Sequence, residues 1–371
     1  MAYLSVFVRD NLGHGILSAS LLFLAIHGVT STLGLASGPW IRRFGSKWTY
    51  TLGLFGLAVF MLVLGVSSSF TLVIVMAPVM GFFLAFHWTG AQAYVIEASP
   101  EHQRGLGSGI ATCTATLVPA ISAPILGIIA DKAGFNAMAM VAFGIVSAGL
   151  VITAFALPNI RQPNNSGSTR DSSPSDHAKI GKRKLLQTPG IIWMLVVRGS
   201  TSMMLGVFVL LAGPKLIDSG GMMSSIGFFV AGTSLGGGLA QIAIGWASDR
   251  IGRRSILLMT LVIGIVSSIA FGLTDNLFLL LAASGFHGLF RNATQTLLVA
   301  VTGDITSASE TGRVSSLLTS AFSIGMVVGV LVAGFFFQTA PIAPFIIAGL
   351  IVAIAIFGLY RIPMSRSQAY S

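Results

Sequence analysis

Charge is what this sequence has least of. Asp, Glu, Lys and Arg together fill 9% of its 371 positions, where a soluble domain carries roughly 25%. That scarcity excludes water as the main solvent of the chain. Acid is rarer than base, with 11 residues against 21 and a formal net charge of +10. Cysteine is nearly missing: Cys113 is the single one and stands within an apolar run, so no intrachain disulfide can form. Absent too are a zinc-type His/Glu pair, a catalytic serine with a partner base, and a phosphate-binding loop ahead of a helix. These absences argue against an enzyme and against ATP-driven transport, and they call for neither a metal nor a cofactor.

What is present is apolar. Hydrophobic residues make up 54% of the chain, gathered into recurring runs of about 20 residues, each long enough to cross a hydrocarbon core as a helix. Runs this long and this rich in Gly favour helices over the alternating ten-residue strands of a membrane barrel. The expected fold is an all-α polytopic membrane protein with about 11 full spans, near 16–38, 49–67, 71–95, 106–130, 136–157, 191–213, 222–245, 255–274, 277–300, 314–338 and 341–360. Ahead of them "AYLSVFVRD" reads as the last turns of one more helix; it has neither the basic start nor the cleavage site of a signal peptide.

The basic residues sort by side. If the loop "GWASDRIGRR" (245–254) is cytoplasmic, alternate loops are too, and they hold most of the Lys and Arg, while Arg9, Lys132 and Lys215 are left for the opposite face. The C-terminus is then cytoplasmic and the setting is a plasma (inner) membrane. Basic loops beside anionic headgroups account for the net charge without nucleic acid. The longest polar stretch, Pro158 to Gly190, is rich in Ser, Pro, Asn and charge and reads as a flexible cytoplasmic linker. It divides the chain into an N-terminal bundle over 1–158, a linker over 159–190, a C-terminal bundle over 191–361 and a tail over 362–371.

The bundles repeat. Laid over "GWASDRIGRR", the stretch "GPWIRRFGSK" (38–47) puts Gly38 and Gly45 in step with Gly245 and Gly252, an offset of 207. "EASPEHQRGLGSG" (97–109) likewise corresponds to "GDITSASETGRVSS" (303–316). Two copies of one bundle suit a carrier whose halves rock about a site between them. Gly245 and Gly252 permit a tight reversal between helices. Asp249, with Arg250, Arg253 and Arg254, can latch neighbouring helix ends through charge-assisted bonds, and a latch that breaks in one state is a gate. The plainer reading is a basic loop that holds topology. In the first copy Arg42 replaces the acid and Arg43 follows it.

The seven residues Gly245, Ser248, Asp249, Arg250, Gly252, Arg253 and Arg254 resemble the loop signature of the major facilitator superfamily of secondary transporters. The resemblance, with the repeat and the linker, covers nearly the whole chain. It implies two six-helix bundles, the first helix here being incomplete (read as a start codon assigned too late), and a central cavity between the first, fourth, seventh and tenth helices. It implies a small-molecule substrate, the lipid bilayer as surroundings and a monomer, and it does not name the substrate. "LVPAISAPILG" (117–127) weakly resembles an antiporter motif of the same family; prolines kinking a helix around a cavity explain it as well.

Ionisable residues within a span are costly, by about 2.5 kcal/mol or more at its centre. His27, His87, Arg198, His287 and Arg291 lie there. By the resemblance His87 falls on the fourth helix, Arg198 on the seventh, and His287 and Arg291 on the tenth. His287, Arg291 and Gln295, spaced four apart, form one stripe expected to face a wet cavity. Arginines without a carboxylate at the same depth suit an organic anion, and His87 or His287 is the candidate proton carrier. A broad-specificity drug exporter and a transport-inactive membrane sensor are the alternative readings. Gly232/Gly236 and Gly325/Gly329 read as close helix packing.

Overall fold

The computed structural model describes residues 2–34, 37–99, 104–160, 190–305 and 308–362, and among them every regular element is helical. The linker read over 159–190 lies almost wholly outside the described residues, as does the tail beyond Ile362. α1 (Leu4–Val6) runs into a π-helical turn (Phe7–Asn11), which confirms the helix end read in "AYLSVFVRD". Then come α2 (Ile16–Gly34), α3 (Ser37–Phe44), α4 (Ser46–Val66), α5 (Phe70–Ala98) and α6 (Arg104–Phe155). The second group is α7 (Ile191–Asp218), α8 (Met223–Ile251), α9 (Arg253–Leu273), α10 (Leu277–Ile305), α11 (Ala308–Phe336) and α12 (Ala343–Leu359). Among the described residues eight helices hold a segment long and apolar enough to cross a membrane, and α12 is a shorter apolar helix. The stretches read as separate spans near 106–130 and 136–157 are two rods of α6, parted by the left-handed backbone of Gly134 (φ 84°).

The repeat is written into the backbone. α4 and α9 start and end at the same offset of 207 residues, and so do α5 and α10. Gly45 and Gly252, in step in the sequence, have the same rare conformation at the head of α4 and α9, with φ 83° and ψ 161° against φ 100° and ψ 137°. A side chain is strained there, so glycine lets the chain turn directly from one helix into the next. Two copies of one α-hairpin are thus built with the same joint.

Each copy packs on itself through small residues. Gly53 lies against the backbone of His87, Gly236 against that of Gly285, and Gly325 and Gly329 against the carbonyls of Gly199 and Met203. Such crossings bring helices close where lipid offers no hydrophobic drive between them. The pairs Gly232/Gly236 and Gly325/Gly329 are therefore packing positions, as their spacing suggests.

The copies meet along α6 with α8 and α2 with α11, and one end of that seam is stitched by polar bonds. The Asp131 carboxylate accepts from the backbone N–H of Met223 (2.7 Å) and Ser224 (3.0 Å), the first two residues of α8. It caps, from the other copy, donors that a helix start leaves unpaired. Arg9 donates to Asp10 (2.6 Å) and across the seam to Asp218 (2.8 Å). Burial alone would lower the pKa of Arg9, but its bonds to Asp10 and the nearby Asp218 charge raise it. Just beneath, a Cβ on Gly127 would lie 2.6 Å from Ser224 Cα, and one on Gly227 2.5 Å from Ala123 O. At Gly238 the nearest atom is on the Leu117 side chain at 3.3 Å, so the rods are already parting.

At the opposite end several bonds brace each copy. Ser46 donates to Glu97, the Lys47 ammonium to Leu157 O (2.7 Å) and Tyr94 to Pro158 O (3.2 Å). In the second copy Arg254 donates to Ile362 O (2.8 Å). One end of the molecule is clasped across the seam, and the other is braced copy by copy.

Candidate functional site

The in-span arginines stand on neighbouring helices. Arg198 lies on α7, where Gly199 and Ser202 let α11 approach closely, and its guanidinium sits 4.6 Å from the ring centre of Phe322 on α11. Arg291 lies on α10, which packs against α7. Neither makes an ion pair among the described residues. Arg291 and Gln295 are both exposed. Phe286 is exposed too, and Gln295 follows it by nine residues, about two and a half turns, so the two stand on opposite sides of the rod.

The expected stripe does not hold together. His287, one turn before Arg291, is 2% exposed and stacks on Phe208 of α7 with ring centres 3.8 Å apart and planes at 21°. Its Nδ1 has no hydrogen-bond partner. The reading that it faces a wet cavity is corrected: at its depth α7 fills the space in front of α10, and the imidazole becomes part of an aromatic core with Phe208, Phe271 and Phe345. Spacing placed it on the right helix face, but how far up that face the cavity reaches depends on α7.

His87 is corrected as well. Its ring turns toward α4, 5.3 Å from that of Tyr50, and Gly53 packs on its backbone. At the offset of 207, Leu84 and Trp88 of α5 hold the places of Arg291 and Gln295. Trp88 is 50% exposed and stands nine residues beyond exposed Val79, as Gln295 stands beyond Phe286. His27 on α2 lies beside Phe23, with Nε2 unbonded. Polarity drew attention to His87; the repeat itself could have pointed to Trp88, while nothing in the sequence marked Phe322.

At the loop read as a gate, Gly245 lies within α8 and Gly252 makes the reversal into α9. Arg250 sits 3.9 Å from the ring centre of Trp246, and Arg254 is held by Ile362 O. Arg253 is half-buried at the start of α9, and the side chain of Asp249 lies outside the described residues. The joint is present; a bond from it to the first copy is a matter for experiment.

The model of the Major Facilitator Superfamily matches residues 1–224 and 201–369. Residues of the chain are 31% identical over 108 positions to the "Tetracycline resistance protein, class B" of Escherichia coli, and 25% identical over 146 positions to the "Uncharacterized MFS-type transporter YqjV" of Bacillus subtilis (strain 168). These matches cover 29% and 39% of this chain, and 27% and 34% of those relatives' own length. In fold the chain is similar to a bacterial homolog of the human lysosomal transporter Spinster, crystallised in inward-facing occupied and unoccupied conformations. The TM-score is 0.74 in both cases, at 13% and 11% identity, over 97% of this chain and 91% of that one.

Proposed function

The chain belongs to the major facilitator superfamily of membrane transporters, and from that premise we propose that it carries a small organic anion with an apolar or aromatic body by alternating access. The observation that carries this reading is the placement of Arg198 and Arg291 on the packed helices α7 and α10, with no carboxylate ion-pair partner for either among the described residues. An unpaired charge in such a place is costly, and a carboxylate or phosphate from solution, bound in bidentate fashion, offsets that cost. Leu84 and Trp88 on the facing copy would take the apolar body. Gln295 adds a donor and an acceptor that can orient it.

In this reading about eleven segments span the membrane, those of α6 counting as two. The clasped end with Arg9, Asp131 and Asp218 faces outward, and the end with Lys47 and Arg254 faces the cytoplasm, where the basic residues predominate. The interior arginines are then reached from the cytoplasm, as in the inward-facing Spinster homolog. The gate would close when the joint at Gly252, with Asp249 and Arg250, swings against the first copy. Proton coupling through His87 or His287 has weaker support, because both rings are turned into aromatic packing and away from the interior space.

A broad-specificity drug exporter is the second reading, favoured by the match to the tetracycline resistance protein. Thermal unfolding of the purified protein with a panel of organic anions, lipophilic cations and neutral sugars separates the two. Ligand at about 100 times its dissociation constant adds roughly 2.7 kcal/mol of stability. The anion reading expects stabilisation by aryl or alkyl carboxylates or phosphates that is lost in Arg291→Gln. Stabilisation by lipophilic cations that persists in Arg291→Gln would overturn it in favour of the exporter, and no stabilisation by any class would point to a non-transporting protein.

A further inference from the structure

Away from the arginines, α3, α4 and α5 of the first copy enclose an open groove of about 450 Å³. Trp40 and Phe44 of α3, Trp48 and Phe55 of α4, Phe86 of α5 and Leu150 of α6 line it. Thr49 and Thr51 also border it, but their hydroxyls already donate to Gly45 O and Lys47 O within their own helix. The walls of the groove are thus almost wholly apolar, and what fits it is a hydrocarbon chain. Four of its aromatic residues, Trp40, Phe44, Trp48 and Phe55, remain 42% to 49% exposed.

The fold does not require this groove. At the offset of 207 the second copy has Ala247, Ile251, Ser255, Val262 and Ala293 where the first has Trp40, Phe44, Trp48, Phe55 and Phe86. The charges differ at the same place: Arg42 and Arg43 stand where the second copy has Asp249 and Arg250. The first copy thus lacks the acid and carries two cations beside a set of aromatic side chains. Arg43 is exposed and lies over Phe44, 5.4 Å from its ring centre. Lys47 is buried and spent on Leu157 O, so Arg43 is the described cation of α3 that a ligand can reach.

We infer that this groove is a binding site for an anionic phospholipid of the bilayer, with one acyl chain along Trp48 and Phe55 and the headgroup phosphate at Arg43, Arg42 adding positive charge to the same short helix. A short amphipathic helix with tryptophan at the interface and arginine toward the headgroups is suited to that depth. The loss of the acidic residue from the first-copy motif then has a function of its own: an aspartate at position 42 would repel the headgroup that the aromatic groove holds.

Native mass spectrometry of the detergent-solubilised protein titrated with phosphatidylglycerol or phosphatidylcholine of the same acyl chains tests the site. The expected result is one retained phosphatidylglycerol, in preference to phosphatidylcholine. Binding should fall about thirtyfold in the double variant Arg42→Gln, Arg43→Gln, which removes two basic residues from a charged surface. It should fall for both lipids in Leu150→Trp, which fills the groove. The charge variant alters only two residues of the short helix α3, so the test stands even if Leu150→Trp fails to fold. Equal retention of both lipids, unchanged by the arginine variant, would overturn the anionic headgroup. Retention unaffected by a folded Leu150→Trp protein would overturn the groove, as would displacement of the lipid by a lipophilic drug that the protein transports.

Discussion

The two copies share a backbone and oppose each other in chemistry. α5 and α10 have the same length and the same offset, yet the positions that hold Arg291 and Gln295 in the second copy hold Leu84 and Trp88 in the first. The motif loops differ in the same spirit, with Asp249 and Arg250 against Arg42 and Arg43. The comparison teaches that the fold needs only the joints and the close crossings to repeat. Glycines at the turns and small residues between helices are kept because sterics leave no alternative. The other helix faces are free to diverge, and in the proposed reading a cavity cationic on one side and apolar on the other suits an asymmetric substrate.

Breaking the cationic wall should have the largest effect. Arg291→Gln is expected to lower anion affinity by about 2–5 kcal/mol, the usual result of removing one partner of a desolvated charge pair, as measured by ligand-induced shifts in thermal unfolding. Leu84→Gln, at the corresponding place, should leave the protein folded and change affinity far less. Similar losses from both substitutions would deny the division into two walls.

The joints come next. Gly45→Ala and Gly252→Ala each force a side chain into a conformation that costs about 1–3 kcal/mol, and because the two backbones match, the losses should be alike in thermal unfolding. A large loss at one and none at the other would break the structural equivalence. Trp88→Ala should cost about 1–2 kcal/mol of binding for substrates with an aromatic body and little for a bare inorganic anion, through lost apolar contact. Isothermal titration with a matched pair of such ligands would sharpen the assignment of the apolar wall.

The smallest effect is expected at the clasp. Asp131→Asn keeps an acceptor at the start of α8 but removes its charge, which should cost about 0.5–1 kcal/mol. In this reading that loss favours opening of the clasped end. Distances between spin labels placed across α6 and α8 at that end should lengthen, while labels between α4 and α5 should not move. Unchanged distances across the seam would show that the packing at Gly127 and Gly227, and not the carboxylate, keeps that end shut.

Much of the fold was legible beforehand because its causes are local. An apolar run has to form a helix in a solvent that cannot bond its backbone, and the offset between Gly45 and Gly252 carried the repeat into the positions of four helices. The site was half legible. Arg198 and Arg291 stood out because charge within a span is rare, and the two stand on helices that pack together. His87 and His287 stood out for the same reason and proved to be packing residues, since periodicity gives the face of a helix and not the neighbour that covers it. Trp88 and Phe322 drew no notice, because an aromatic residue in an apolar run looks like any other wall of a span.

What the sequence determined by itself is therefore the solvent of the protein, its duplication, its turns and the few places where cations enter the membrane. All of these follow from composition and short-range spacing. Only the tertiary structure decided which helices bring Arg198 and Arg291 side by side, which histidine is sealed against phenylalanines, and which end of the seam Asp131 clasps. Those outcomes rest on contacts between residues about 35 to more than 200 positions apart, and they were settled by how closely α7 packs on α10, α4 on α5 and α6 on α8.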